Sequence, residues 1–348
     1  MQFIKYILLI SLFAVFFSCK KENEETIESP AILKNGMLVL NEGLFQLNNA
    51  SLTWVDFGSG TTNDQFFTQK AGRLLGDTGN EMLRYGNKIY IVVNVSSTIE
   101  VLDAITGNSI KQISMQANGN SKQPRSIRFF GSKAFISCFD GFVDVMDTAT
   151  FQIESRIPVG LNPDQMTISG QYLFVSNSGG LNAPVMDSTI SVIDMIAKSE
   201  LTKIVVGKNP GSIVTDYEGD VYVVTRGNYS TIPSRLNKID QDEFIVLDSY
   251  DFDASKITLM NNRLLILNNN KVMLFNTDTD QLLDDNFINN PTINTLSNMY
   301  FRSSSQQIYL FDSKGYTNTG NILKYNVNGD FMSQYHVGLN PNSILIYD

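Results

Sequence analysis

Six polar residues recur at matching places along the chain: Asn41, Asn94, Asn177, Arg226, Asn268 and Asp312 each follow a short apolar run. Four of them open segments (41–49, 177–184, 226–231 and 312–318) longer than the two to five residues of a plain hairpin. An amide both donates and accepts hydrogen bonds, so a ring of such residues suits a neutral ligand rich in amides or hydroxyls. Phe45, Tyr229 and Tyr316 in those segments add aromatic faces, and Arg125, just after the proline of a connecting turn, is grouped with them. The expected ligand contacts are Asn41, Phe45, Asn94, Arg125, Asn177, Arg226, Tyr229 and Tyr316, and the chemistry they can do is non-covalent capture. The same asparagines have a second use, capping strand ends, because Asn is a preferred turn residue.

Enzyme chemistry has few footholds. The chain has no Gly-x-Ser-x-Gly elbow, phosphate-cradling glycine loop or His-Glu-x-x-His, and its one histidine, His336, stands before a turn without an evident base. Glu42, Glu81 and Asp312 are the carboxylates that could gather around a divalent metal, as a lactonase or lyase would require. With two cysteines, Cys19 and Cys138, neither a cysteine zinc cluster nor a disulfide framework can form, and Cys138 in an apolar run reads as a small buried hydrophobe. The expectation is a binding protein with no catalytic residue, metal or cofactor. Lys plus Arg number 26 against 35 Asp plus Glu, a formal charge of −9, which removes the attraction that supplies nucleic-acid affinity.

The elements that must position these residues repeat down the chain. Strands ending in an acid or amide read Leu52–Asp56, Ile99–Asp103, Phe142–Asp147, Ile190–Asp194, Leu236–Asp240, Val272–Asn276 and Ile322–Asn326, about 36 to 50 residues apart, the spacing of propeller blades. Each closing Asp or Asn precedes turn formers and is expected to serve folding, Asp147 and Asp194 included. A strand precedes each one: Met37–Leu40, Lys88–Val93, Lys133–Cys138, Tyr172–Ser176, Val221–Thr225, Leu264–Leu267 and Ile308–Phe311. Their composition reads as sheet throughout. The fold class is therefore all-β, a seven-bladed β-propeller. Gly36 begins what looks like a second strand and Pro341–Tyr347 an innermost one, so both ends are expected to pair within one blade and close the ring.

Connections between repeats read Val159-Gly160-Leu161-Asn162-Pro163, Val206-Gly207-Lys208-Asn209-Pro210 and Val337-Gly338-Leu339-Asn340-Pro341, with Gln123-Pro124-Arg125 a degenerate fourth. Joined to Val-Ile-Asp strands, this pattern resembles the YVTN-type β-propeller family over residues 35–348. Together with the N-terminal features below, it looks like the surface lipoproteins of the BtuG type. That resemblance implies capture of a small-molecule nutrient, cobalamin or a related corrinoid, and its transfer to a TonB-dependent outer-membrane transporter. A corrinoid's amide side chains would meet the Asn ring and its broad apolar face the aromatics. The alternative within the same architecture is a glycan- or protein-binding propeller with no cobalamin role.

At the N-terminus Lys5 precedes an apolar run from Tyr6 to Phe17 that is short for a membrane span and ends at Ser18-Cys19. This resembles a bacterial lipobox, with residues 1–18 a signal peptide and Cys19 the lipidated new N-terminus. Residues 19–34 are polar and mostly acidic, the composition of a flexible tether, and 35–348 form the propeller. The implied location is the outer membrane, held by lipid alone and exposed at the cell surface.

Overall fold

Runs such as Lys88–Val93 and Tyr172–Asn177 are rich in β-branched and aromatic residues and lack a helical period, so they extend and pair. The computed structural model describes residues 32–348; the expected signal peptide, Cys19 and most of the tether lie outside the described residues. Seven four-stranded sheets form the blades of a β-propeller: blade 1 (79–114), blade 2 (124–158), blade 3 (163–205), blade 4 (210–250), blade 5 (256–289), blade 6 (296–339) and a closing blade 7. In blades 1 to 6 the chain runs from the innermost strand outward. Blade 7 joins Pro341–Tyr347, innermost, to Gly36–Asn41, Ser51–Asp56 and the short Thr62–Asn63. Its two innermost strands pair antiparallel, with Met37 opposite Ile346 and Val39 opposite Ile344. The ring is thus closed by both ends of the chain, as the sequence leads one to expect.

The core lies in wedges between neighbouring blades. Phe174, Ile190 and Val192 of blade 3 pack on Ile213, Val221 and Val223 of blade 4, and the other blades meet in the same way. Middle strands are buried on both faces, whereas an outermost strand such as Gln281–Asn289 is mostly exposed. One element departs from the all-sheet reading: blade 7 has a two-residue outer strand and then a helix, Phe66–Ala71. Burial of Phe66 and Phe67 against the core outweighs local preference there, with Trp54 packed between Phe66 and Tyr347.

Two turn devices explain the repeated motifs. At the end of the third strand, Asp103, Asp147, Asp194, Asp240 and Asn276 accept backbone N–H bonds from the residues two and three positions on, at 2.7–3.0 Å. These side chains turn the chain into the outermost strand, the folding role expected of Asp147 and Asp194. Before the innermost strand, Asn162, Asn209 and Asn340 have φ of 44°, 58° and 55°, a left-handed conformation that Asn tolerates. Gln123 (φ 51°) and Thr78 (φ 64°) hold the corresponding places in blades 2 and 1. Of the glycines two residues before Asn, Gly207 answers to its φ of 113°, whereas Gly160 and Gly338 are fixed by space. A Cβ on Gly160 would come 2.4 Å from Asn177 Cγ, and one on Gly338 2.6 Å from Asn41 Nδ2.

Candidate functional site

In six blades the innermost strand carries one extra residue near its start. The register shifts fall between Gly79 and Glu81, Pro124 and Ser126, Pro163 and Met166, Pro210 and Ile213, Leu296 and Asn298, and Pro341 and Ser343. A bulge of this kind releases one side chain from the strand's alternation and re-aims it. Four residues of these bulges, Asn80, Arg125, Asp164 and Asn342, bond from blade to blade around the channel mouth, joined by Arg226, one past the second strand of blade 4, and by Asn298, which stays paired with Phe311 in blade 6. Asn342 Nδ2 donates to the Asn80 carbonyl (2.7 Å), Asn80 Nδ2 to the Arg125 carbonyl (2.6 Å), and Arg125 Nη1 to Asn80 Oδ1. Arg125 Nε donates to Asp164 Oδ1 (3.1 Å), and both terminal nitrogens of Arg226 lie 3.5 Å from Asp164 Oδ2. On the other side, Asn298 Nδ2 donates to the Asn342 carbonyl at 2.7 Å. Blade 5 has no bulge at this point, and Lys256 simply opposes Leu267. The polar girdle is interrupted there.

A second set of positions joins the girdle. The N–H groups of Glu42, Asn94, Phe139, Ser178, Arg226 and Ser313, one past the end of each second strand, donate to the carbonyls of Asn340, Thr78, Gln123, Asn162, Asn209 and Thr295 at 2.8–3.2 Å. These six are structurally equivalent, which corrects the sequence alignment: Asn41, Asn177 and Asp312 belong one residue earlier than Asn94 and Arg226. Since strand side chains alternate, that single step puts them on the opposite face. Asn41 is fully buried and donates to Thr53 Oγ1 (2.9 Å) and Ser51 Oγ (3.1 Å). Asn177, also buried, accepts from the Gly160 N–H (3.1 Å) and donates to Ser191 Oγ (2.9 Å) and Thr189 Oγ1 (3.0 Å). Asn94 donates to the Pro124 carbonyl (3.0 Å), and Asp312 caps the N–H of Thr295 (2.8 Å). Instead of a ring of free amides, these residues tie strands and blades together.

The charges are at the mouth. Arg125 lies with its guanidinium 4.6 Å from the Phe139 ring centre while bonded to Asp164. Arg226 occupies space that Gly211 leaves open: a Cβ on Gly211 would come 2.3 Å from Arg226 Nη2. Burial alone would raise the Asp164 carboxyl, but Arg125 and Arg226 outweigh it and hold the group below its ordinary range. Burial pushes Glu42 upward, partly opposed by Arg125 and Lys256. Lys256 is pushed down to about 8 by burial and then by Arg226, against the pull of Glu42 and Asp164. Glu42 and Lys256 keep part of their surface open to solvent, although protein surrounds them closely. Among the described residues neither has an ion pair within 4.0 Å.

Around this centre the loops after the second strands present aromatic rings to solvent: Phe45 is 69% exposed, Tyr229 72% and Tyr316 53%. Tyr229 is anchored by its hydroxyl, which accepts from Asn209 Nδ2 at 2.9 Å. A groove of about 330 Å³ extends from Arg226 between blades 4 and 5, lined by Tyr229, Ile232, Pro233, Asp253, Ala254 and Ser255 among others.

Of the expected contacts, the structure brings Arg125 and Arg226 together at the channel and leaves Phe45, Tyr229 and Tyr316 on its rim. Sequence reasoning missed Asn80, Phe139, Asp164, Lys256 and Asn342. Three of the girdle residues, Arg125, Asp164 and Asn342, directly follow the proline of the repeated turn, a signal that could have found them. Blade 5 lacks that turn, so nothing in the repeat marks Lys256. The carboxylates considered for metal chemistry do not gather. Glu81 accepts from Ser126 Oγ (2.9 Å), the Ile127 N–H (2.7 Å) and Arg128 (2.8 Å), and Asp312 is a cap. Among the described residues no three His, Cys, Asp or Glu side chains are placed to hold a metal ion. His336 Nδ1 lies 3.2 Å from Asn321 Oδ1 on the outer strands of blade 6, and burial pushes the Cys138 thiol up.

A family model described as a domain of unknown function (DUF5074) matches residues 35–345. No curated protein matches the sequence. Among solved structures, the chain is similar to a quinoprotein alcohol dehydrogenase-like protein from Bacteroides thetaiotaomicron (TM-score 0.67, 13% identity, covering 91% of this chain and 79% of that one). It is also similar to Kuenenia stuttgartiensis hydrazine synthase (0.63, 15%, covering 74% and 86%). A third is the dihydro-heme d1 dehydrogenase NirN (0.56, 11%, covering 90% and 75%). At such identities the likeness is one of fold.

Proposed function

The chain belongs to the DUF5074 family, and from that premise we propose that it is a surface-held capture protein which binds a small molecule at the channel mouth without changing it covalently. The observation that carries this reading is the mouth itself. Glu42 and Lys256, partly open to solvent and without an ion pair among the described residues, sit inside a polar girdle under a rim of exposed aromatics, and no described nucleophile and base are paired beside them. Such a site offers orientation and affinity and lacks a reaction. A corrinoid, cobalamin foremost, suits it: amide side chains for the girdle, a phosphodiester for the cations and a broad apolar face for Phe45, Tyr229 and Tyr316.

Residue 33 is fastened by its N–H to the Ile105 carbonyl (2.7 Å), beside a turn at the face opposite the mouth. A lipid anchor on Cys19 and handover of the captured ligand to a TonB-dependent outer-membrane transporter complete the proposal. Exposed Leu47, Leu181, Val185 and Ile232 on the rim loops favour a second reading, in which the same face grips a protein partner.

Calorimetric titration with cyanocobalamin tests the first reading. Saturable binding is expected, weakened about thirtyfold in Tyr229→Ala, the effect of losing an aromatic anchor worth about 2 kcal/mol. Absence of heat at millimolar ligand rejects the corrinoid. The anchor has its own test: incorporation of labelled palmitate is expected in the full chain and should vanish in Cys19→Ala.

A further inference from the structure

Resting on the capture reading, we infer that the channel mouth holds an anionic oxygen group of the ligand, a phosphate diester or a carboxylate, between Lys256, Arg226 and Arg125. The girdle bonds run from blade 6 through blades 7, 1, 2 and 3 to Arg226 of blade 4 and stop at blade 5, where Lys256 has no ion-pair partner among the described residues. Arg226 is held at a long 3.5 Å from Asp164, so its donors are largely unspent, and Gly211 keeps open the space it occupies. Asp164 is shared by two guanidinium groups. Three cations therefore face two carboxylates, and burial disfavours the charged form of one of these, Glu42. The result is a positive spot at the centre of a protein with a formal charge of −9. The groove beyond Arg226, where Tyr229, Ile232, Pro233 and Ala254 stand beside serines and the carboxylate of Asp253, receives the uncharged remainder of the ligand and keeps its anionic end at the cations.

Proton balance gives the site a signature. Glu42, Asp164, Arg125 and Arg226 are the charged groups that act on Lys256. An arriving anion favours the charged amine, so binding near pH 8 to 9 draws a proton from solution onto Lys256 Nζ. Calorimetry of the full chain with inorganic phosphate at low ionic strength, in buffers of different ionisation enthalpy, reads both affinity and proton uptake. Saturable binding is expected, with buffer-dependent heat at pH 8.5 and at least a tenfold loss of affinity in Lys256→Met. Lys203→Met, on the outer strand of blade 3, should bind phosphate as the wild type does. Dimethyl phosphate and acetate, compared at one pH, assign the site to a diester or a carboxylate by which binds more tightly.

No phosphate binding at 10 mM, or equal affinity in Lys256→Met and the wild type, overturns the inference. Cyanocobalamin binding that ignores Lys256→Met overturns it too while leaving the capture reading intact. Phosphate binding that depends on Lys256 in a protein giving no heat with cyanocobalamin supports the anion site and removes the corrinoid.

Discussion

Deleting Pro341–Asp348 is expected to leave a chain that does not fold. This segment is the innermost strand of the closing blade, paired with Gly36–Asn41 along its length save for the bulge at Asn342. Its loss strips one edge from Met37, Leu38, Val39 and Leu40, all fully buried, and removes Ile344 and Tyr347 from two of the apolar wedges. Each large side chain lost from a core costs about 2–5 kcal/mol, and the unpaired ladder adds about 1 kcal/mol per hydrogen bond. Together these rival the roughly 5–15 kcal/mol that stabilises a typical domain. The bared apolar edge also becomes a template for pairing with other chains. Circular dichroism and size-exclusion chromatography should show loss of the cooperative melt together with aggregation. A soluble truncated chain that still melts cooperatively would mean that the ring does not depend on closure. The milder Ile344→Ala should stay folded and lose about 2–4 kcal/mol in chemical denaturation.

The fold was legible because the features that build a blade are local. An Asp or Asn two residues before its turn partners, a left-handed Asn before a proline, and apolar runs of strand length each leave a mark in sequence, and repetition multiplies the mark. The helix Phe66–Ala71 left none, since burial of Phe66 and Phe67 decides it. The site was half legible for a geometrical reason. Asn41 and Arg226 look equivalent in the repeat, yet their backbones lie one residue apart in register, and in a strand one residue is the difference between the channel and the blade interior. The bulges that aim Asn80, Arg125, Asp164 and Asn342 inward depend on which backbone groups pair; a preceding proline marks the last three in sequence, and Asn80 has no such mark. Lys256 lies in the one blade whose innermost strand lacks that bulge, so the residue most exceptional in its surroundings was the one the repeat could not mark.

Lys256→Met is expected to make the protein more stable and a poorer binder, both at once. An ordinary lysine titrates near about 10.4, whereas burial, then Arg226, pushes Lys256 down to about 8. Below pH 8 the folded and unfolded chains both carry the charge, and the cost of holding it inside the mouth is fully present. Between about 8 and 10.4 the unfolded chain binds more protons, so wild-type stability rises with pH across that window. A shift of this size corresponds to about 3 kcal/mol at most, and screening by solvent brings the expected gain in Lys256→Met at pH 7 to about 1–3 kcal/mol. Methionine fills similar volume without charge, and the advantage should shrink as pH approaches 10.5. Denaturation curves at pH 7 and 10 read the stability, and phosphate calorimetry reads the binding. A lysine kept only as a partner for Glu42 and Asp164 gives the opposite sign, because its removal would leave those carboxylates uncompensated and lower stability at pH 7. Gain of stability with loss of anion affinity is what a residue retained for binding produces, since the ligand's charge is then the missing partner of Lys256.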